Sequence, residues 1–274
     1  MDKLTNIRDV VGSIEDGCSL ALGGNTLNRA PMSFCRELAR QGKRSLELIK
    51  TAGGMDVDIL CLAGSVRSVD AGFISFETKY GLADNYRKSV QGGLVKANEH
   101  ACYTVVSALR AAVSGIPFMP VRGLVNSDLI AANDYFKSVQ CPFTGETLTA
   151  VKAIVPDVAV IHVHEADRSG NAIIKGPKFD DVLMSRAAKR VVIITEKLLS
   201  DTYFQSRTTS VDIPHFLVSD VIHIPGGAFP CACAPAYEVS EAGTEEYRAI
   251  KESSELVSYL KKLERKDYQG MRTI

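Results

Sequence analysis

Short apolar runs alternate with amphipathic stretches along nearly the whole chain. Leu4, Ile7, Val11 and Ile14 recur at helical spacing and predict an opening amphipathic helix. Ser19-Leu-Ala-Leu22 reads as a strand that closes on Gly23-Gly24, and Pro31 fits the first turn of the next helix, where its missing N–H costs nothing. Leu46 to Ile49 predicts a second strand followed by Gly53-Gly54, a short helix over 55–63 and a strand from Val66 to Gly72. In the second half, Val158 to Val163 and Val191 to Thr195 are uninterrupted apolar runs, the pattern of strands covered on both faces. Asp180 to Lys189 between them reads as helix, and Phe216 to Ile224 as a further strand ending at Pro225-Gly226-Gly227. Leu256, Leu260 and Leu263 mark a terminal helix whose other face is charged. The alternation predicts an α/β fold: an open, mostly parallel sheet covered by helices on both faces, a three-layer α/β/α arrangement. With no visible boundary, the chain reads as a single domain over 1–274, and Cys141 to Glu146 as a surface loop.

One stretch departs from this rhythm. From Glu99 to Leu129 a carboxylate and a histidine, Glu99-His100, sit where the strand-like Gly93-Leu-Val-Lys-Ala gives way to a long apolar helix. That helix stops at Gly115, and a rigid Pro117…Pro120 linker leads to Arg122-Gly123 and Ser127-Asp128. Two polar clusters bracketing one helix are a means of placing charged groups at the mouth of a sheet.

Composition narrows the partners. Thirty-two basic and 32 acidic residues cancel, so no net field favours nucleic acid or an anionic membrane, although a local site can still bind a small anion. Cysteine is present at seven scattered positions in apolar surroundings, which reads as small buried hydrophobes in a reducing compartment. Cys231-Ala-Cys233 is the one close pair and has no second pair at zinc spacing. The charged N-terminus lacks the apolar core of a signal peptide, and no apolar run reaches membrane-spanning length, so a cytoplasmic protein is expected.

Three Gly-Gly pairs, 23–24, 53–54 and 226–227, follow predicted strands, where glycine allows a tight turn and close approach of backbone N–H groups to a ligand. Dinucleotide, Walker and serine-hydrolase signatures are all missing. His162-Val-His164 places two imidazoles on one strand face with Glu165 and Asp167 just beyond. A third metal ligand is not evident there, so hydrogen-bonded core histidines are the favoured reading. Asp167 to Asn171 reads as a turn. Glu99 is either a cap or surface charge, or a carboxylate that holds substrate, orients water or acts as a base. His100 either tunes it or points elsewhere.

These residues resemble one family: the alpha subunits of family I coenzyme A transferases, the glutaconate CoA-transferase-like branch. The carriers are Leu20-Ala-Leu-Gly-Gly-Asn25, Glu99 with Leu109-Arg-Ala-Ala112, Gly115-Ile-Pro-Phe-Met-Pro120 followed by Ser127-Asp128, Ile161 to Asn171, and Pro225-Gly-Gly-Ala-Phe-Pro230. The resemblance implies the α/β/α fold and transfer of coenzyme A between carboxylic acids through a glutamyl-CoA intermediate. Gly23, Gly24 and Asn25 match the family's glycine loop and are the implied oxyanion hole, with Asn25 standing where many relatives carry an aromatic residue. Arg122 and Ser127 are implied substrate-binding residues. In two-chain members the nucleophilic glutamate lies on the beta subunit near a glycine. Here only Glu15-Asp-Gly17 and Glu241-Ala-Gly243 offer such a pair, neither in the matching context. The resemblance therefore implies half an enzyme: an alpha chain pairing with a beta chain of the same fold, as an α2β2 heterotetramer. The acyl-CoA thioester and a small carboxylic acid are its substrates, with no metal and no permanently bound cofactor. The alternatives are a CoA-dependent ring-opening or thioester hydrolase with Glu99 as base, and a non-catalytic ligand-sensing module.

Overall fold

Parallel pairing dominates the chain, whose computed structural model describes residues 2–205 and 211–268. Its strands are β1 (Leu4–Thr5), β2 (Ser19–Leu22), β3 (Leu46–Gly53), β4 (Val66–Ile74), β5 (Lys96–Glu99), β6 (Phe118–Val121), β7 (Phe136–Gln140), β8 (Thr147–Lys152), β9 (Val158–Asp167), β10 (Ala172–Ile173), β11 (Arg190–Leu199) and β12 (Asp220–His223). The large sheet runs β1-β12-β11-β9-β2-β3-β4-β5, every neighbour parallel, with β10 folding back antiparallel on β9. From the β9/β2 junction the strand order runs outward both ways. That junction is the switch point at which such sheets open a crevice beyond the carboxyl ends of their strands.

Alternation of side chains sends each strand into two cores. Leu20, Leu22, Val158, Val160, Val192 and Ile194 pack against the helices Ile7–Gly12, Met32–Arg40, Met55–Leu62 and Ser253–Asp267. Ala21, Ile49, Ala159, Ile161, Val163 and Ile193 face the helices Cys102–Val113 and Asp181–Ala187. Both faces are therefore covered, as the continuous apolar runs predict, and each fully buried Val, Leu or Ile side chain contributes about 1.5–3 kcal/mol of transfer free energy.

Three elements differ from the pattern. The Pro117…Pro120 segment is not a linker: Phe118–Val121 forms β6, which joins β8 and β7 in a small antiparallel sheet, β6-β8-β7. Pro120 pairs with Ala150 on an edge strand, where a missing N–H is tolerated. Val121, Phe136 and Val151 then bury against the second core. The run Phe216 to Ile224 begins with a 3₁₀ turn, His215–Leu217, and becomes strand only at Asp220; Phe216 is 74% exposed, its hydrophobicity unused by the sheet. Leu4 belongs to a two-residue strand rather than to the opening helix. Cys141 to Glu146 is the β7–β8 loop, closed by the Cys141 N–H on the Glu146 carbonyl. Among the described residues no helix is long and apolar enough to cross a membrane.

Candidate functional site

The Gly23-Gly24 turn leaves β2 beside the end of β9, and its shape leaves no room for a side chain. Gly24 has φ +74°, and a Cβ there would lie 2.4 Å from the Asn28 carbonyl oxygen and 2.5 Å from the Arg29 backbone. The three amides expected to form an oxyanion hole are engaged within the chain. Gly23 N–H donates to the Val160 carbonyl at 2.9 Å, Gly24 N–H to Asp181 Oδ1 at 2.7 Å, and Asn25 N–H to the Asn28 carbonyl at 2.9 Å. These bonds shape the loop.

Buried charges hold it from beneath. Arg29 pairs with Asp181, both essentially without solvent contact, and donates to the carbonyls of His162 and Pro177. Lys50, fully buried, donates to the Gly23 carbonyl and pairs with Asp56 at 2.7 Å. Buried pairs of this kind repay their desolvation only when further hydrogen bonds satisfy the remaining valences; these carbonyl contacts do so in part, leaving Arg29 Nε buried without a partner.

Past the carboxyl ends of β3 and β4 a cleft of about 560 Å³ opens, lined by Asn25, Thr26, Phe73, Ser75, Glu77 and Cys102 among others. The Thr26 hydroxyl donates to the Glu77 carboxylate, and both residues sit in the left-handed region, at φ 43° and 62°. Two non-glycine residues held there are a local strain that surrounding contacts must sustain, a frequent property of ligand sites. Cys102, exposed, is the first residue of its helix. Gly72 permits that helix to start against β4, since a Cβ on Gly72 would come within 2.2 Å of the Cys102 nitrogen.

Glu99 closes β5, opposite Ala71 of β4. It is exposed, its backbone carbonyl accepts from Asn133 Nδ2 at 2.7 Å, and its carboxylate makes no hydrogen bond or ion pair among the described residues. His100 faces inward: Nε2 lies 3.2 Å from Asp70, Nδ1 3.1 Å from Thr104 Oγ1, and the ring packs on Tyr135 and Phe136. It anchors the small sheet. Arg122 and Ser127 are not drawn to the glycine loop. Arg122, exposed, is bidentate to Glu146 at 2.9 and 3.2 Å, and Ser127 Oγ accepts the Leu129 N–H at 3.3 Å.

Asn25 is thus the one expected site residue that lines the cleft. Thr26, Phe73, Ser75, Glu77 and Cys102 join it, and no sequence motif singles them out. Their signal is positional: Ser75 follows β4, and Cys102 opens the helix after β5. The His162/His164 face is buried as expected of core histidines. His164 Nδ1 accepts the Lys175 N–H at 3.0 Å and Nε2 meets the Ala234 carbonyl at 2.8 Å, which fixes a neutral tautomer; burial lowers its pKa in the same direction. Asp167 accepts the Gly170 and Asn171 N–H groups, closing the predicted turn.

Known proteins share this architecture. The family model described as Coenzyme A transferase matches residues 4–223. The chain is 33% identical over 242 residues to one of the subunits of 3-oxoadipate CoA-transferase from Pseudomonas knackmussii, covering 87% of this chain and 84% of that one. It superposes on the crystal structure of glutaconate coenzyme A-transferase from Acidaminococcus fermentans with a TM-score of 0.89, at 28% identity, over 95% of this chain and 88% of that chain. The IpdA subunit of a cholesterol ring-cleaving hydrolase from Rhodococcus jostii is 29% identical over 90% of this chain and 86% of its own length. An uncharacterized protein of Archaeoglobus fulgidus is 33% identical over 93% of this chain, which spans 57% of that longer protein. The chain belongs to the coenzyme A transferase family and is similar to the alpha subunits within it.

Proposed function

We propose that this chain is the alpha subunit of an acyl-CoA:carboxylate CoA-transferase, acting with a beta subunit of the same fold in an α2β2 heterotetramer. The observation that carries the reading is the open cleft at the carboxyl ends of β3 and β4, with polar groups from Asn25, Thr26, Ser75 and Glu77 along it, in a chain whose relatives are subunits of CoA-transferases. Neither of the two glutamates that stand just before a glycine lies in the context expected of the nucleophile. Glu15 lies in the turn before β2, at the amino edge of the sheet, and Glu241 is ion-paired with Lys79. That supports a nucleophile on the partner.

In this mechanism the partner's carboxylate attacks the acyl-CoA carbonyl and CoA thiolate leaves, giving an acyl-glutamyl anhydride. The thiolate then attacks the glutamyl carbonyl, releasing the first acid and leaving glutamyl-CoA; a second acid reverses the sequence. The covalent relay splits one difficult exchange into easier steps. With the loop amides occupied, the Asn25 side-chain amide, which makes no hydrogen bond among the described residues, is our candidate donor to the developing oxyanion. Gly23 and Gly24 shape the loop that presents it. Glu99 is a substrate-handling residue, and Arg122 and Ser127 act at most at the outer end of a long acyl-CoA. No metal or permanently held cofactor enters this scheme, the whole chain acts as one domain, and seven free cysteines support a reducing, cytoplasmic setting.

A second reading is favoured by the unpaired Glu99 carboxylate together with the IpdA relative: hydrolysis of a bound acyl-CoA with Glu99 as base. The chain co-purified with its partner and supplied with a panel of acyl-CoAs separates the two. Transfer requires an acceptor acid, whereas consumption at full rate without one assigns hydrolysis.

A further inference from the structure

Beyond the cleft, one buried cluster unites residues from three distant segments. The register pairs Ile194 with His162 and Lys197 with Glu165, so Glu196 of β11 lies on the same sheet face as His162 of β9. The loop after β12 brings Cys233 over that face. Ligand atoms of His162, Glu196 and Cys233 all lie within 4.8 Å of one another. His162 and Cys233 are fully buried, and the Glu196 side chain is 12% exposed.

We propose that His162, Glu196 and Cys233 form a zinc site that fastens the loop Pro225 to Tyr237 onto the sheet. The donor set is an imidazole, a carboxylate and a thiolate, a combination that suits Zn²⁺ and not the oxygen-seeking Mg²⁺ or Ca²⁺. One donor lacks other employment, for the Cys233 thiol makes no hydrogen bond among the described residues; His162 faces Glu196 with Nε2, while its Nδ1 is buried without a partner. His162 Nε2 and Glu196 Oε1 stand 2.6 Å apart. Donors around a tetrahedral zinc are separated by roughly 3.3–3.6 Å, so the ion needs that pair to open by about 1 Å, within reach of a carboxylate rotation. Binding releases the thiol proton to solvent, and water completes the fourth position.

Outer partners are already built. Glu196 Oε2 accepts the Gly226 N–H at 2.6 Å, and the Tyr237 hydroxyl donates to Glu196 Oε1 while accepting the Ala228 N–H at 3.2 Å. Such groups orient a metal-binding carboxylate. The same loop grips the glycine loop, for the Ala232 N–H donates to Leu27 and the Arg29 N–H to Ala232, both at 2.7 Å. The zinc is therefore a brace that sets Leu27 to Arg29, and with them Asn25, and takes no part in the reaction.

The test uses the chain with its partner, stripped by chelator and titrated with Zn²⁺ and with Co²⁺ as a spectroscopic substitute. Stoichiometric binding, a thiolate-to-Co²⁺ charge-transfer band and a rise in melting temperature on adding zinc are expected. Cys233→Ser should abolish the band and weaken binding at least about a hundredfold, while Cys231→Ser, which alters a neighbouring buried thiol outside the trio, should keep both. Metal bound without the thiolate band, or no binding above the Cys233→Ser level, overturns the proposal and leaves a hydrogen-bonded His–Glu pair beside an idle thiol. Where Cys233→Ser fails to fold, a stoichiometric band that persists in Cys18→Ser, Cys102→Ser and Cys141→Ser, which remove the more accessible thiols, supports the site, and its loss in any of them overturns it.

Discussion

The Asp181 carboxylate accepts the Gly24 N–H at 2.7 Å with one oxygen and pairs with the buried Arg29 guanidinium through the other. One side chain from the helix Asp181–Ala187 thus fixes the loop at the switch point of the sheet. Replacing it with the isosteric amide, Asp181→Asn, leaves a buried guanidinium uncompensated. A loss of about 3–5 kcal/mol in urea denaturation is expected. A change under about 1 kcal/mol would show that the pair is dispensable.

Gly24→Ala combines a positive φ with a Cβ 2.4–2.5 Å from the Asn28 and Arg29 backbone. At least about 1 kcal/mol of stability should go with it, and because the loop must shift, most of the transfer activity as well. Gly17 provides the comparison. It has φ +82° but nothing within 4 Å of its Cβ, so Gly17→Ala should lower stability while leaving the activity of the folded complex intact.

How far residues alone lead is visible in the glycine loop. That Gly23-Gly24 ends a strand at the ligand-bearing edge follows from the apolar run before it. That its amides are occupied does not, because the partners Val160 and Asp181 come from segments far along the chain and meet it only through strand order. The same holds for Glu77, brought to Thr26, and for Cys233, brought to His162. Local pattern locates the strands buried on both faces. It misses β6, where Pro120 argues against a strand unless its edge position is known, and it lengthens β12, where Phe216 is apolar but exposed.

Cys102→Trp tests the cleft itself. The residue is exposed at a helix start, so the fold should tolerate the larger side chain, which then occupies the space beside Asn25 and Ser75. We expect kcat/KM for acyl-CoA to fall at least about tenfold, equivalent to about 1.4 kcal/mol. Unchanged kinetics would move substrate elsewhere.

Asp157 links stability to pH. Burial alone would raise its pKa, but Lys189 and the Ser19 N–H and hydroxyl outweigh this and hold it at about 2, below its ordinary 3.8. A depressed carboxyl stabilises the fold above its unfolded pKa and loses that contribution as pH falls through the folded value. Asp157→Asn should therefore cost about 1 kcal/mol at pH 7, modest because the side chain is 41% exposed, and the deficit should narrow between about pH 4 and 2. A deficit that persists unchanged across that range contradicts the assignment.

The division of labour between two chains is most directly tested by mass spectrometry of the co-purified complex after brief incubation with acyl-CoA and no acceptor acid. The expected result is a coenzyme A adduct on a glutamate of the beta subunit, with this chain unmodified at Glu15, Glu99 and Glu241. An adduct on any glutamate of this chain, or full transfer activity from this chain alone, would contradict it.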